Sequence, residues 1–194
     1  MFRLSDEGQR YLLSLSRRVI RAYLETRQRP AVDSPPEEVL PHRGAFVTLR
    51  KDTRLRGCIG YVSPMYPLYQ TVMQCSIAAA TEDPRFVPLT LEEFPETGIE
   101  ISVLSPIEEV KTIEDIQVGT HGLVIGHQGR RGLLLPQVAV EYGWDRKRFL
   151  EETCRKAGLP ANAWQKGAKI ESFTAFVFGE EERGISGRGS KTEG

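Results

Sequence analysis

Apolar residues in the first thirty positions recur at helical spacing. Leu12, Leu15, Val19 and Tyr23 follow one another every three or four residues, which predicts an amphipathic helix running to about Arg27. Ser5 suits its N-cap, and Asp6 and Glu7 fall in the first turn, where the helix dipole favours negative charge. Pro30 is expected to end it, and Pro30, Pro35, Pro36 and Pro41 make 30–43 an extended connection. The pattern then changes to that of strands. Ala45 to Arg50 predicts a strand centred on Phe46-Val47-Thr48-Leu49, and Lys51 to Arg54 a turn. Leu55 to Val62 returns as the second strand of a hairpin.

Pro64 and Pro67 open a second helix, with Pro67 placed in its first turn. Val72, Cys75, Ile77 and Ala78-Ala79-Ala80 give it a small, apolar face, so it is expected to be buried and Cys75 to be core. Residues 82–86 read as a loop and Thr90 to Phe94 as a short helical turn. Ile99 to Leu104 alternates, with Ile99, Ile101 and Val103 on one face and Glu100 and Ser102 on the other. Thr112 to Ile116 is a short helix or turn at a lobe boundary. Gly122 to Gly126 and Arg131 to Leu135 form a second hairpin about His127-Gln128-Gly129-Arg130, closed by Pro136. Val138 to Tyr142 and Arg146 to Ala157 are helical, with Gly158 as the stop, and Ile170 to Phe178 is the last strand. Residues 181–194 are expected to form a flexible tail. Hairpins separated by helices define an α+β class: a mostly antiparallel sheet with helices packed on it.

The 194 residues suit one domain, or a domain with a smaller lobe within about 107–160. Hydrophobic residues make up 40% of the chain, enough for a sizeable core. Lys plus Arg and Asp plus Glu are equal at 26 each, so the formal net charge is zero. That balance argues against nucleic acid and against an anionic membrane surface, which need a positive field. Arg17, Arg18 and Arg21, and the group Arg50, Lys51, Arg54 and Arg56, are local exceptions that read as solvated faces. No apolar run approaches the ~18 residues of a membrane span, and no signal-peptide pattern opens the chain, so a cytoplasmic location is expected. Cys58, Cys75 and Cys154 are odd in number and widely spaced, as reduced thiols are. With no Cys-x-x-Cys, no His-x-x-x-His, and only His42, His121 and His127, no metal or other cofactor is expected.

The densest chemical signal is Leu55-Arg56-Gly57-Cys58-Ile59-Gly60. On a regular strand Arg56 and Cys58 share a face, and a guanidinium beside a thiol favours the thiolate. Gly57 and Gly60 leave the backbone bare for a ligand or for another chain segment. The competing reading is a small buried Cys in a strand that bends at its glycines.

The hexapeptide resembles the signature of the AMMECR family. Further segments resemble that family in the same order: Asp83-Pro84-Arg85-Phe86, residues 100–106, residues 129–138, Trp144-Asp145 and Lys156-Ala157-Gly158. The likeness spans about residues 5–180. It implies one compact α+β unit with two subdomains. It also implies a prokaryotic setting beside a Memo-like protein and a radical SAM protein, the AmmeMemoRadiSam system, as partners. The chain lacks the three-cysteine cluster of a radical SAM enzyme, so such chemistry would belong to another polypeptide. The family carries no settled biochemical activity, and the resemblance stops short of a mechanism.

Three functional classes follow. In an enzyme, Cys58 would be the nucleophile or the acyl or alkyl acceptor, with Glu100, His121 or His127 moving protons. Arg56, Gly57, Gly60, Asp83, Arg85 and Ser102 would then hold the substrate, Arg85 by a two-pronged contact to a carboxylate or phosphate. The bland alternatives are that Arg85 pairs with Asp83 or Glu100 to fix a loop, that Glu100 faces solvent, and that His127 is exposed in a turn. In an adaptor, residues 45–62 and 82–88 would form a recognition surface anchored by Tyr61, Tyr66, Tyr69 and Phe86. Nucleic-acid binding through the basic first helix and residues 50–56 is the weakest of the three. Substrate and oligomeric state are not legible.

Overall fold

The computed structural model describes residues 3–180; the expected tail, 181–194, lies outside the described residues. Seven strands form one sheet: β1 (Ala45–Lys51), β2 (Arg54–Tyr61), β3 (Thr97–Leu104), β4 (Glu108–Glu109), β5 (His121–His127), β6 (Arg130–Leu134) and β7 (Lys169–Gly179). Their order is β2-β1-β3-β7-β5-β6, with β4 also on β7, and every pairing is antiparallel. Among the described residues four α-helices pack with it: α1 (Asp6–Thr26), α2 (Leu68–Thr81), α3 (Pro136–Glu141) and α4 (Arg146–Lys156). The α+β class and the antiparallel sheet agree with the sequence pattern.

The core follows that pattern closely. Leu12, Leu15 and Val19 of α1 and Val72, Cys75 and Ala79 of α2 are buried with Val47, Leu49, Ile101 and Val103 of the sheet. Each large aliphatic side chain so buried contributes roughly 1.5–3 kcal/mol. Where α1 meets α2, the buried Ser16 and Ser76 hydroxyls bond each other at 2.7 Å, so neither is left unsatisfied. A second cluster packs Phe149, Leu150 and Cys154 of α4 on Leu123 and Ile125 of β5. Val124, on the opposite face of β5 from these two, joins a third cluster with Leu104 and Phe173.

Several boundaries move for physical reasons. Ser5 caps α1 through its hydroxyl, which accepts the Gly8 N–H. That helix ends at Thr26, close to the expected position, but Arg27 rather than Pro30 makes the stop: it turns left-handed (φ 59°) and its N–H closes on the Tyr23 carbonyl. Pro67 is the N-cap of α2, outside the helix rather than in its first turn. The turn expected at Thr90 to Phe94 is a 3-10 turn at Phe94–Glu96. Residue pairs with positive φ, Asp52-Thr53 and Gln128-Gly129, make the two hairpin turns. The first-helix arginines are not uniformly solvated: Arg17 lies over the Phe94 ring, bonds the Phe94 and Thr97 carbonyls, and pairs with Glu180. Among the described residues no helix is long and apolar enough to cross a membrane.

Candidate functional site

The hairpin β1–β2 is not regular. Leu49 pairs with Gly57 and Arg50 with Leu55, so Arg56 is the extra residue of a β-bulge and faces no residue of β1. The bulge breaks the regular alternation from which a shared face for Arg56 and Cys58 was expected. It turns the Arg56 guanidinium to Glu93, which accepts from Nε at 2.8 Å and from a terminal nitrogen at 3.0 Å. Arg56 holds the Glu93 carboxyl below its ordinary range, against the opposing effect of burial. The charge expected to sit on the thiol is thus engaged by a carboxylate that the sequence does not flag.

The same bulge sets a second register. It places Cys58 opposite Thr48, and Thr48 lies opposite Glu100 on β3. Cys58, Thr48 and Glu100 therefore form a row across three strands, on the face away from Val47, Ile59 and Ile101. Thr48 Oγ1 donates to Cys58 Sγ at 3.3 Å, and Cys58 is half-buried. Glu100 stands 3.7 Å from the Arg50 guanidinium. Ser102, one step further along the same face of β3, is buried.

Strand β2 is an outer strand, and at Cys58 its free edge is covered by two side chains. Asp83 accepts the Cys58 N–H at 2.8 Å, and Arg85 donates to the Cys58 carbonyl at 3.4 Å. Together they stand in for a missing strand. Asp83 follows α2 directly and builds an Asx turn, its carboxylate accepting the Arg85 backbone N–H at 3.1 Å. Arg85 forks onto the same carboxylate at 2.9 and 2.7 Å. The Asp83 side chain is only 3% exposed. The Arg85 guanidinium, helped by the Cys58 and Arg85 N–H groups, keeps its carboxyl ionised well below the usual range despite burial. The Arg56 and Arg85 guanidinium groups both lie over the Phe86 ring, 5.9 and 5.5 Å from its centroid.

Both motif glycines are covered by chain segments. A Cβ on Gly57 would lie 2.1 Å from the Ala79 carbonyl oxygen of α2, and one on Gly60 would lie 2.2 Å from the Phe46 ring. Gly57 therefore lets β2 seat directly on α2, and Gly60 makes room for an aromatic ring.

A family model, AMMECR1, matches residues 13–178. The chain belongs to the AMMECR1 family. Two archaeal relatives of this AMMECR1 chain are protein PH0010 of Pyrococcus horikoshii and protein MJ0810 of Methanocaldococcus jannaschii. The first is 43% identical, over 93% of this chain and 94% of its own length. The second is also 43% identical, over 91% and 92%. The crystal structure of the uncharacterized protein PH0010 superposes with a TM-score of 0.85 at 42% identity, covering 93% of this chain and 95% of that one.

In this AMMECR1 chain the histidines stand apart from the thiol. His121 accepts the Gln117 N–H through Nδ1, and His127 pairs with Arg130 beside the β5–β6 turn. Neither is a hydrogen-bond partner of Cys58. Among the described residues no group of three or more His, Cys, Asp or Glu is placed to hold a metal ion. Cys75 and Cys154 are fully buried, and burial pushes the Cys75 thiol up to about 12 and raises that of Cys154. A cleft of about 450 Å³ adjoins the row at its Glu100 end; it is lined by Arg50 and Glu100 from the sheet and by Gln137 and Glu141 from α3, not by residues 55–60. Thr48 and Glu93 are the partners that sequence reasoning missed. Pairing 48 with 58 requires the bulge, which no residue type announces.

Proposed function

We propose that this AMMECR1-family protein is a cytoplasmic thiol-dependent protein whose working surface is the sheet face carrying Cys58, Thr48 and Glu100. The observation that supports it is the state of Cys58. It is the half-buried thiol of the three, its sulfur accepts from Thr48, and its backbone is clamped on the free edge by Asp83 and Arg85. A clamp of this kind fixes a side chain to the precision chemistry needs. In this reading Cys58 Sγ bonds to an electrophilic acyl or alkyl carbon, the leaving group departs with the bonding pair, and the thiol proton passes to water. Glu100 is two strand spacings away, about 10 Å, so it acts on the far end of the substrate or through a bridging water. A Memo-like protein and a radical SAM protein are the partners this reading carries. Iodoacetamide labelling with peptide mapping tests it. Cys58 labels in the folded protein with a rate that depends on pH, while Cys75 and Cys154 label only on unfolding. A Cys58 that labels no faster than those two overturns the reading.

One observation favours an adaptor instead. Tyr61, Met65 and Tyr66 are 41%, 66% and 40% exposed, close together in the sequence at the end of β2 and in the loop that follows. Exposed aromatic residues of this kind anchor protein interfaces. Cys58→Ser separates the two readings: an adaptor keeps its partner binding, and a thiol-dependent protein loses its activity while retaining its fold.

A further inference from the structure

The cleft beside Glu100 has the size of a small-molecule site: about 450 Å³ falls within the roughly 300–1,000 Å³ such sites span. Its walls carry both signs of charge. Arg50 enters from β1 and Glu141 from the last turn of α3, with Glu100 beside Arg50. The Arg50 side chain is 44% exposed. Its contacts are loose: 3.7 Å to Glu100 and 3.5 Å to the Thr53 carbonyl. Neither is a good hydrogen bond, so the two-pronged donor face is unspent. Glu141 makes no ion pair or side-chain hydrogen bond among the described residues. The lining also includes neutral hydrogen-bonding residues, Thr120 and Gln137, and Gly119.

We propose that this cleft binds a small zwitterion of about dipeptide size, with its carboxylate on Arg50 and its ammonium on Glu141. A dianion would meet Glu100 and Glu141 unfavourably. A diamine would leave Arg50 facing a second cation. A zwitterion satisfies both walls, and its amide meets Thr120 and Gln137. A single amino acid would leave most of the volume empty. The site shares a sheet face with Cys58 but does not depend on its chemistry.

The test uses the full chain, isotope-labelled for NMR, and a panel of small dipeptides led by Ala-Ala. Saturable shifts at the Gly119, Thr120 and Gln137 amides are expected. N-acetylation or C-terminal amidation of the dipeptide should each weaken binding by about tenfold or more, the worth of one charge-assisted hydrogen bond. Glu141→Gln should weaken Ala-Ala similarly and leave the N-acetylated form unchanged, and Arg50→Gln should do the same for the amidated form. Both side chains face solvent, so an unchanged melting temperature verifies the fold of each variant. Cys58→Ser should leave binding intact, which separates this site from the thiol reading. The proposal is overturned if no dipeptide gives a saturable shift, if capping either terminus has no effect, or if a diamine or a dicarboxylate binds more tightly than the dipeptides.

Discussion

Removing the Asp83 carboxylate should unclamp the outer strand at Cys58. In Asp83→Ala the Cys58 N–H, bonded to Asp83 at 2.8 Å, loses its charged acceptor, a loss of about 1.5–3 kcal/mol. The Arg85 backbone N–H loses a second bond to the same side chain. The Arg85 side chain is 55% exposed and its guanidinium rehydrates, so its ion pair adds under about 1 kcal/mol. The sum is about 3 kcal/mol, or roughly 6–12 °C in melting temperature for a chain of this size. Asp83→Asn keeps an acceptor and should fall in between. The pH dependence has a fixed sign. The folded carboxyl titrates below the unfolded one, so its stabilisation is complete above the unfolded value, about 3.9, and is lost as the pH falls toward the folded one. Urea denaturation should therefore show the full gap between the wild type and Asp83→Ala at pH 7, with about 1 kcal/mol of it gone by pH 3. Amide exchange at Cys58 should quicken in the variant. A gap below about 0.5 kcal/mol at pH 7, or one that stays constant down to pH 3, would refute the clamp.

Gly57→Ala drives a methyl group into the Ala79 carbonyl and should cost about 1–3 kcal/mol in urea; Gly98→Ala, with no atom within 4 Å of its Cβ position, should stay within about 0.5 kcal/mol, and equal effects would remove the close-approach argument. Arg17→Ala loses a partly buried ion pair and two bonds to carbonyl oxygens; thermal melts should show a loss of about 1–2 kcal/mol, and an unchanged midpoint would make that side chain a surface residue.

Elements whose burial repeats with a clean period were legible. Ile99, Ile101 and Val103 alternate with Glu100 and Ser102, and β3 runs through them; Leu12, Leu15 and Val19 sit at helical spacing, and α1 carries them inward. Strand β4 was not legible, because two residues, Glu108 and Glu109, have no period to read. The end of α1 near Arg27 was legible although its left-handed cap was not, and the start of α2 shifted because Pro67 is its N-cap rather than part of its first turn. At the candidate site, the type of each residue was visible but its partner was not. Arg56 and Glu93 are 37 positions apart, and Asp83 and Cys58 are 25 apart. Contacts at that separation are made by the sheet register, and a single bulged residue resets it. Gly57 and Gly60 had two readings in the sequence, ligand or chain segment, and neighbouring backbone and ring atoms fill the Cβ side of each.

The position of β7 has a consequence for biosynthesis. It is the last strand in sequence, yet it lies in the middle of the sheet, between β3 and β5. Without it the sheet is two fragments, β2-β1-β3 and the β5–β6 hairpin, with no hydrogen bonds between them. During translation both fragments must wait with a bare edge until this strand leaves the ribosome. Nascent chains of this protein are thus open to strand-exchange and to chaperone capture until β7, through Gly179, has emerged. Termination between β6 and β7 would leave two unjoined, aggregation-prone parts of a sheet rather than one smaller folded protein.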